Sequence, residues 1–226
     1  MTKIEIKRAI VSVHDKSLLS LLADYFLKYK VEILSTGGTA RFLRDYSAEL
    51  KIIEISKFTN FEEILGGRVK SLHPFIHSGI LGKKNDNKHI KELKNIKVPF
   101  IDLVVVNLYP FENIVNDPKS KRQKCIENID IGGPTLIRGA AKNYDNVTVL
   151  TNPNQYNSFL EVVESNHNQI PKSFRENCAM IAFENTSYYD GVISNWFNKD
   201  KQSFCNEKLS LNFKKISQLR YGENPH

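Results

Sequence analysis

Residues 101–108 read IDLVVVNL, a run in which only Asp102 and Asn107 interrupt the apolar side chains. A strand with one wet face alternates polar and apolar residues, whereas so uniformly apolar a run suits a parallel strand buried on both faces. Such a strand needs helices on both sides, so this segment points to an α/β sheet and to a place at its centre. The rest of the chain has the matching alternation. RAIVSV at 8–13, VEILS at 31–35, KIIEIS at 51–56 and NVTVLT at 146–151 read as further strands. Between them, residues 17–29 place Leu18, Leu22 and Phe26 on one helical face, with Asp15 as a candidate N-cap. ARFLRDY, the polar stretch 83–97 and the segment opening near Pro134 also read as helices. The expectation is a doubly wound, mainly parallel five-stranded sheet with added helices over 153–198. Residues 200–215 read as a linker.

A chain of 226 residues accommodates one such domain with an appendage. With 41% hydrophobic and 25% charged residues, it has the composition of a globular protein in water. No window approaches the length of a membrane span and no signal peptide is evident, so a cytoplasmic location without membrane contact is expected. Cys125, Cys178 and Cys205 lack CxxC spacing, which disfavours a disulfide framework or a zinc knuckle. The net charge of +7 would suit an anionic partner. Its lysines are spread over exposed helices without interleaved aromatics, which favours a phosphorylated small molecule over nucleic acid.

Four stretches carry candidate chemistry. Ser35 and the following Thr36, Gly37, Gly38 and Thr39 join a strand end to a helix start, where free N–H groups and hydroxyls make a phosphate cradle. A plain turn capped by Thr39 has the same spacing. Ser12 and Lys16, from the end of the first strand, should face the same rim. In IDIGGPT, Pro134 suits a first helical position, Asp130 can accept a hydrogen bond or a proton, and the N–H groups of Ile131, Gly132 and Gly133 are placed to meet an oxygen. Again a simple capped turn is the alternative. Asn107 and Tyr109 end the central strand, where open α/β sheets bind ligands, although a tyrosine there can equally be structural. Finally, LGGRVKSLHPFIH sets Arg68 and Lys70 after two glycines and spaces His73 and His77 as i, i+4. Without a carboxylate partner the histidines make a weak metal site, and the cations alone could be a solvated loop.

Read in order, SVHDK, STGGTA, GGRVKSLHP, NLYPF, IDIGGPTLIRGAAKN and LRYGENPH resemble the inosine monophosphate (IMP) cyclohydrolase half of the bifunctional AICAR transformylase/IMP cyclohydrolases over residues 3–200. The resemblance implies a methylglyoxal-synthase-like fold. It implies ring closure of 5-formamidoimidazole-4-carboxamide ribonucleotide (FAICAR) to IMP and water, with no metal or cofactor. The catalytic set it implies is Lys70, Tyr109, Asp130 and Lys142, with Asp130 and Lys142 as a proton-moving pair. It also implies a 5'-phosphate site at Ser12, Lys16, Thr36, Gly37, Gly38 and Thr39, and substrate contacts from Arg68, Ser71, Asn107 and the turn Ile131, Gly132 and Gly133. Residues 1–199 would form the cyclohydrolase domain, and 200–226 the linker and first residues of a truncated transformylase, whose cofactor would be 10-formyltetrahydrofolate. The intact family is homodimeric. STGGTA alone is shared with methylglyoxal synthase and with the allosteric domain of carbamoyl phosphate synthetase, which leaves a triose-phosphate lyase and a regulatory module as rival readings. His14 departs from the family pattern.

Overall fold

The computed structural model describes residues 3–199, 208 and 210–221. Its centrepiece is an all-parallel sheet of five strands: β2 (Arg8–Val13), β3 (Glu32–Ser35), β4 (Ile52–Glu54), β5 (Leu103–Asn107) and β6 (Thr148–Leu150), in the order β4-β3-β2-β5-β6. The centre is therefore β2, with β5 beside it in register from Ala9↔Leu103 to Val13↔Asn107. The expectation that 101–108 holds the centre is corrected by one strand. The reason is physical: β2 and β5 are both covered on two faces, and burial does not rank interior strands. Leu103, Val104 and Val105 are fully buried, as are Ala9, Ile10 and Val11.

Two groups of helices cover the sheet. On one side α1 (Leu19–Lys28) packs on α2 (Gly37–Tyr46) and on α9 (Tyr156–Ser165). In the other group α8 (Gly132–Lys142) packs on β5 and β6, and is itself covered by α4 (Pro74–Leu81) and the long α10 (Lys172–Asn198). Shorter helices α3 (Ile55–Thr59), α5 (Asn87–Asn95), α6 (Phe111–Asn116) and α7 (Arg122–Glu127) fill the connections. A two-stranded antiparallel sheet of β1 (Ile4–Glu5) and β7 (Gln169–Ile170), which no apolar run in the sequence announces, ties the start of the chain to the turn before α10.

Buried polar groups fix the register. Asp102 is 5% exposed, and one of its oxygens accepts the N–H groups of both Lys7 and Arg8 at 2.8 Å. The other accepts Lys84 Nζ at 2.5 Å. A buried carboxylate with three donors is satisfied, and it locks β5 against β2 at their amino ends. Arg175 on α10 is fully buried and donates to the carbonyls of Tyr144 (2.7 Å), Asp145 (3.0 Å) and Ile170. These bonds fasten α10 to the turn after α8 and to β7.

Several local expectations shift. Asp15 does not cap α1, whose N-cap is Leu18 in the left-handed region; Asp15 instead accepts the N–H of Ser17 at 2.8 Å in the loop before it. Pro134 lies in the third position of α8, not the first, with Ile131 as N-cap. Residues 55–56 leave the strand and begin α3. Much of the expected linker, and residues 222–226 of the LRYGENPH motif, lie outside the described residues. Part of the remainder packs on α10: Asn212 donates to the carbonyl of Tyr188 at 3.2 Å and lies where a Cβ on Gly191 would be.

Candidate active site

Parallel strands deliver their carboxyl ends to one edge of the sheet, and the candidate residues gather there. At the end of β3, Thr36 is extended and Gly37 opens α2 with φ 49°, a left-handed conformation that favours glycine. Gly37 and Gly38 are exposed, leaving their backbone open at a helix N-terminus. Lys16 Nζ lies 3.9 Å from where a Cβ on Gly38 would be, so a cation stands beside the cradle. Ser12 is half-buried at the penultimate position of β2. Thr39 is different. Its hydroxyl accepts the Val13 N–H at 3.1 Å and donates to the Val13 carbonyl at 3.0 Å, so it bolts α2 to β2 and is not free for a phosphate. Nor is it the helix cap.

Asn107 is likewise committed. Its amide oxygen accepts the N–H groups of His14 (2.7 Å) and Asp15 (2.9 Å), and its NH2 donates to the Asp15 carbonyl at 2.7 Å. These bonds shape the loop that carries Lys16. The ring of Tyr109, 46% exposed, meets His14 edge-on at 5.2 Å. His14 and Tyr109 line the same cavity.

Asp130 sits at the start of α8. Its carboxylate accepts the N–H of Gly133 at 2.8 Å and a bond from the Tyr109 backbone, which joins the loop after β5 to the turn before α8. Burial pushes its carboxyl above the ordinary value of 3.8, against the pull of those two bonds. Of the three N–H groups expected to be open, Gly133's is therefore already taken. Close packing explains both glycines: a Cβ at Gly133 would lie 2.7 Å from Leu108, and one at Gly132 would lie 2.9 Å from Ser71 Oγ. Ser71 is thereby placed against the turn, with Ile131 exposed beside it.

The basic loop forms a 3-10 turn, Leu65–Gly67, in which Gly66 (φ 62°) and Gly67 (φ 88°) are both left-handed. Lys70 folds back over Gly67 to pair with Glu63 at 3.0 Å, while Arg68 pairs with Glu127 at 2.5 Å. Neither acidic partner is signalled by the sequence. His73 is the N-cap of α4, its Nδ1 accepting the Phe75 N–H at 3.1 Å. His77 is half-buried and burial lowers its pKa. Among the described residues no cluster of His, Cys, Asp or Glu has the makings of a metal site.

Lys142 is not with the others. It is exposed at the last position of α8, and at 1.5 Å per residue about 15 Å of helical rise separates it from Gly132. Asp130 and Lys142 therefore stand far apart within one chain. Lys142 instead borders a groove of about 870 Å³ with His77, Arg138, Met180 and Phe183, between α4, α8 and α10. A second cavity, about 380 Å³, lies behind Tyr109 and is lined by Asn107, Glu112, Tyr188, Tyr189 and Lys214. There Glu112 accepts Tyr188 OH at 2.9 Å and Lys214 Nζ at 2.5 Å.

A five-stranded parallel sheet bearing a glycine-rich cradle at its carboxyl edge defines a class, and comparison with known proteins agrees. The profile of the MGS-like domain matches residues 19–135, over half of the chain, and the chain belongs to that family. The profile of the AICARFT/IMPCHase bienzyme matches residues 140–226. More particularly, the chain is similar to the MGS-like domain of the bifunctional purine biosynthesis protein PurH. It is 46% identical over 219 residues to PurH of Prochlorococcus marinus (strain MIT 9215), covering 96% of this chain and 41% of that protein. It is 44% identical over 223 residues to PurH of Leptospira biflexa serovar Patoc (strain Patoc 1 / Ames), covering 99% and 43%. The chain thus spans about two fifths of the length of these relatives. Among solved structures, that titled "Crystal structure of ForH" superposes with a TM-score of 0.74 at 31% identity, covering 85% of this chain and 99% of the other. No helix among the described residues is long and apolar enough to cross a membrane.

Proposed function

We propose that this chain carries IMP cyclohydrolase activity, closing the pyrimidine ring of FAICAR to give IMP and water. The observation that carries the reading is the turn at Asp130: a carboxyl with a raised pKa, bonded to the Gly133 and Tyr109 backbones and packed near Ser71, on the same sheet edge as the cradle. Ring closure forms a bond from the carboxamide nitrogen to the formyl carbon. Of the three N–H protons on the reacting groups, two leave with the formyl oxygen as water. The reaction therefore needs a proton acceptor beside the carboxamide, a donor beside the formyl oxygen, and firm positioning of an intramolecular pair.

Asp130 is suited to accept the carboxamide proton, since a raised pKa brings a carboxylate nearer to the working pH. Tyr109 relays a proton, and Lys70, released from Glu63 on the glycine turn, polarises the formyl oxygen. Lys16 and the backbone of Thr36, Gly37 and Gly38 take the 5'-phosphate, with Ser12 beside them. Arg68 and Ser71 orient the nucleotide, with the N–H groups of Ile131 and Gly132. No step needs a metal or an organic cofactor. In the longer relatives the remaining residues would supply transformylase activity with 10-formyltetrahydrofolate. On this reading, 1–199 is the cyclohydrolase domain, 200–226 begins the next, and the intact protein is a cytoplasmic homodimer.

The test is conversion of FAICAR to IMP by the purified chain, with Lys70→Ala alongside. The variant is expected to lose about 100-fold or more in kcat while its IMP affinity stays within about tenfold, because the lysine's interaction strengthens in the transition state. Near-normal turnover would remove Lys70 from the mechanism. Formation of methylglyoxal from dihydroxyacetone phosphate in place of FAICAR turnover would replace the proposal with a lyase.

A further inference from the structure

We infer that Tyr189, on α10, is a positioning residue that holds Asp130 in its working orientation; the inference deepens the proposed reaction and rests on it for its catalytic meaning. Tyr189 is 8% exposed, in a small core with Phe111 and Cys125 that is separate from the main one. Its ring stands edge-on to Phe111 at 6.2 Å, so the side chain is held by packing before its hydroxyl bonds to anything. That hydroxyl accepts the Asp130 backbone N–H at 2.8 Å and points its proton towards the Asn128 carbonyl at 3.4 Å. It therefore grips the turn from both sides of Ile129.

The consequence reaches the carboxylate through the backbone. Asp130 is poised by two opposed effects, burial that raises its pKa and the Gly133 and Tyr109 N–H bonds that lower it. Those bonds exist only while the turn before α8 keeps its shape, and Tyr189 is the one side-chain group among the described residues that bonds to the Asp130 backbone. Other charged or titratable groups near the turn include Tyr109, the Arg68–Glu127 pair, Cys125 in the same small core, and Asp190 beside Tyr189 on α10. The neighbouring Tyr188 points elsewhere and bonds Glu112 at 2.9 Å, on the helix that follows Tyr109. Adjacent residues of α10 thus bond to two different parts of the candidate site, Tyr188 to α6 and Tyr189 to the backbone of the Asp130 turn.

Tyr189→Phe removes the hydroxyl and keeps the ring. It is expected to lower kcat for FAICAR about tenfold with KM within about twofold, a loss of the size of one buried hydrogen bond. In the substrate-free protein, NMR titration of the Asp130 carboxyl should show a higher midpoint in Tyr189→Phe than in the wild type, because the bonds that lower it are loosened. Tyr188→Phe should leave that midpoint unchanged. An unaltered Asp130 midpoint with wild-type kcat in Tyr189→Phe overturns the inference, as does an equal displacement in Tyr188→Phe, which would reveal general loosening of α10. Should Tyr189→Phe fail to fold, amide exchange in the wild type decides: the Asp130 N–H is expected to be protected, and exchange at the free-chain rate overturns the proposal. If the wild type does not turn over FAICAR, the functional reading fails, while the titration and exchange experiments still decide the role of Tyr189.

Discussion

Asp130 illustrates how one carboxyl can be costly to the fold and useful to the chemistry. Its folded pKa is raised above the ordinary value, so the folded protein binds a proton there more tightly than the unfolded chain. Stability from this group is fully present below pH 3.8 and falls as pH rises through the folded value, leaving a fixed penalty at neutral pH. Asp130→Asn keeps an oxygen for the Gly133 N–H and removes the charge. At pH 7 it is expected to raise Tm by about 2 °C while abolishing ring closure, with the Tm difference vanishing below pH 3.8. Calorimetry across pH checks this, and a lower Tm at pH 7 would refute it. Lys70 shows a different restraint at the same scale. A Cβ on Gly67 would stand 2.7 Å from Lys70 Cε, so the lysine lies directly over a residue without a side chain.

Among the elements, α10 bonds to two parts of the site, and Arg175 is its anchor. Three carbonyls depend on that guanidinium. Arg175→Met keeps the apolar stem but strands those acceptors, and is expected to cost about 3–5 kcal/mol in a urea denaturation experiment. A loss below about 1 kcal/mol would mean that water replaces it. The helix also shows where sequence reasoning stops. The five strands were legible as apolar runs, and the cradle and the IDIGG turn as glycine-rich entries to helices. What Asn107 and Thr39 do was not legible, because a side chain that bonds to backbone leaves no spacing or periodicity behind. Tyr189 was missed for the same reason, and β1 and β7 because two-residue strands carry no alternation. The pairing of Asp130 with Lys142 came from resemblance, and helical rise alone sets them apart.

For the molecule as a whole, Asp102 joins strands that are far apart in sequence and lies opposite the candidate site. Asp102→Ala would leave the Lys7 and Arg8 N–H groups without their acceptor and Lys84 without its partner. The expected cost is about 2–4 kcal/mol, read as a Tm lower by about 2–4 °C per kcal/mol, with KM for FAICAR unchanged. A shifted KM with unchanged Tm would contradict this separation of scaffold from site. The sheet order has a further consequence, for biosynthesis. The central strand β2 is translated before both of its neighbours, and its partner β5 begins at Leu103. At about 5–20 residues per second, roughly 5–20 s pass between them. Once β3 has followed, β2 has a sheet neighbour on one side only, and the edge that pairs with β5 stays open until the residues from Leu103 onward are made.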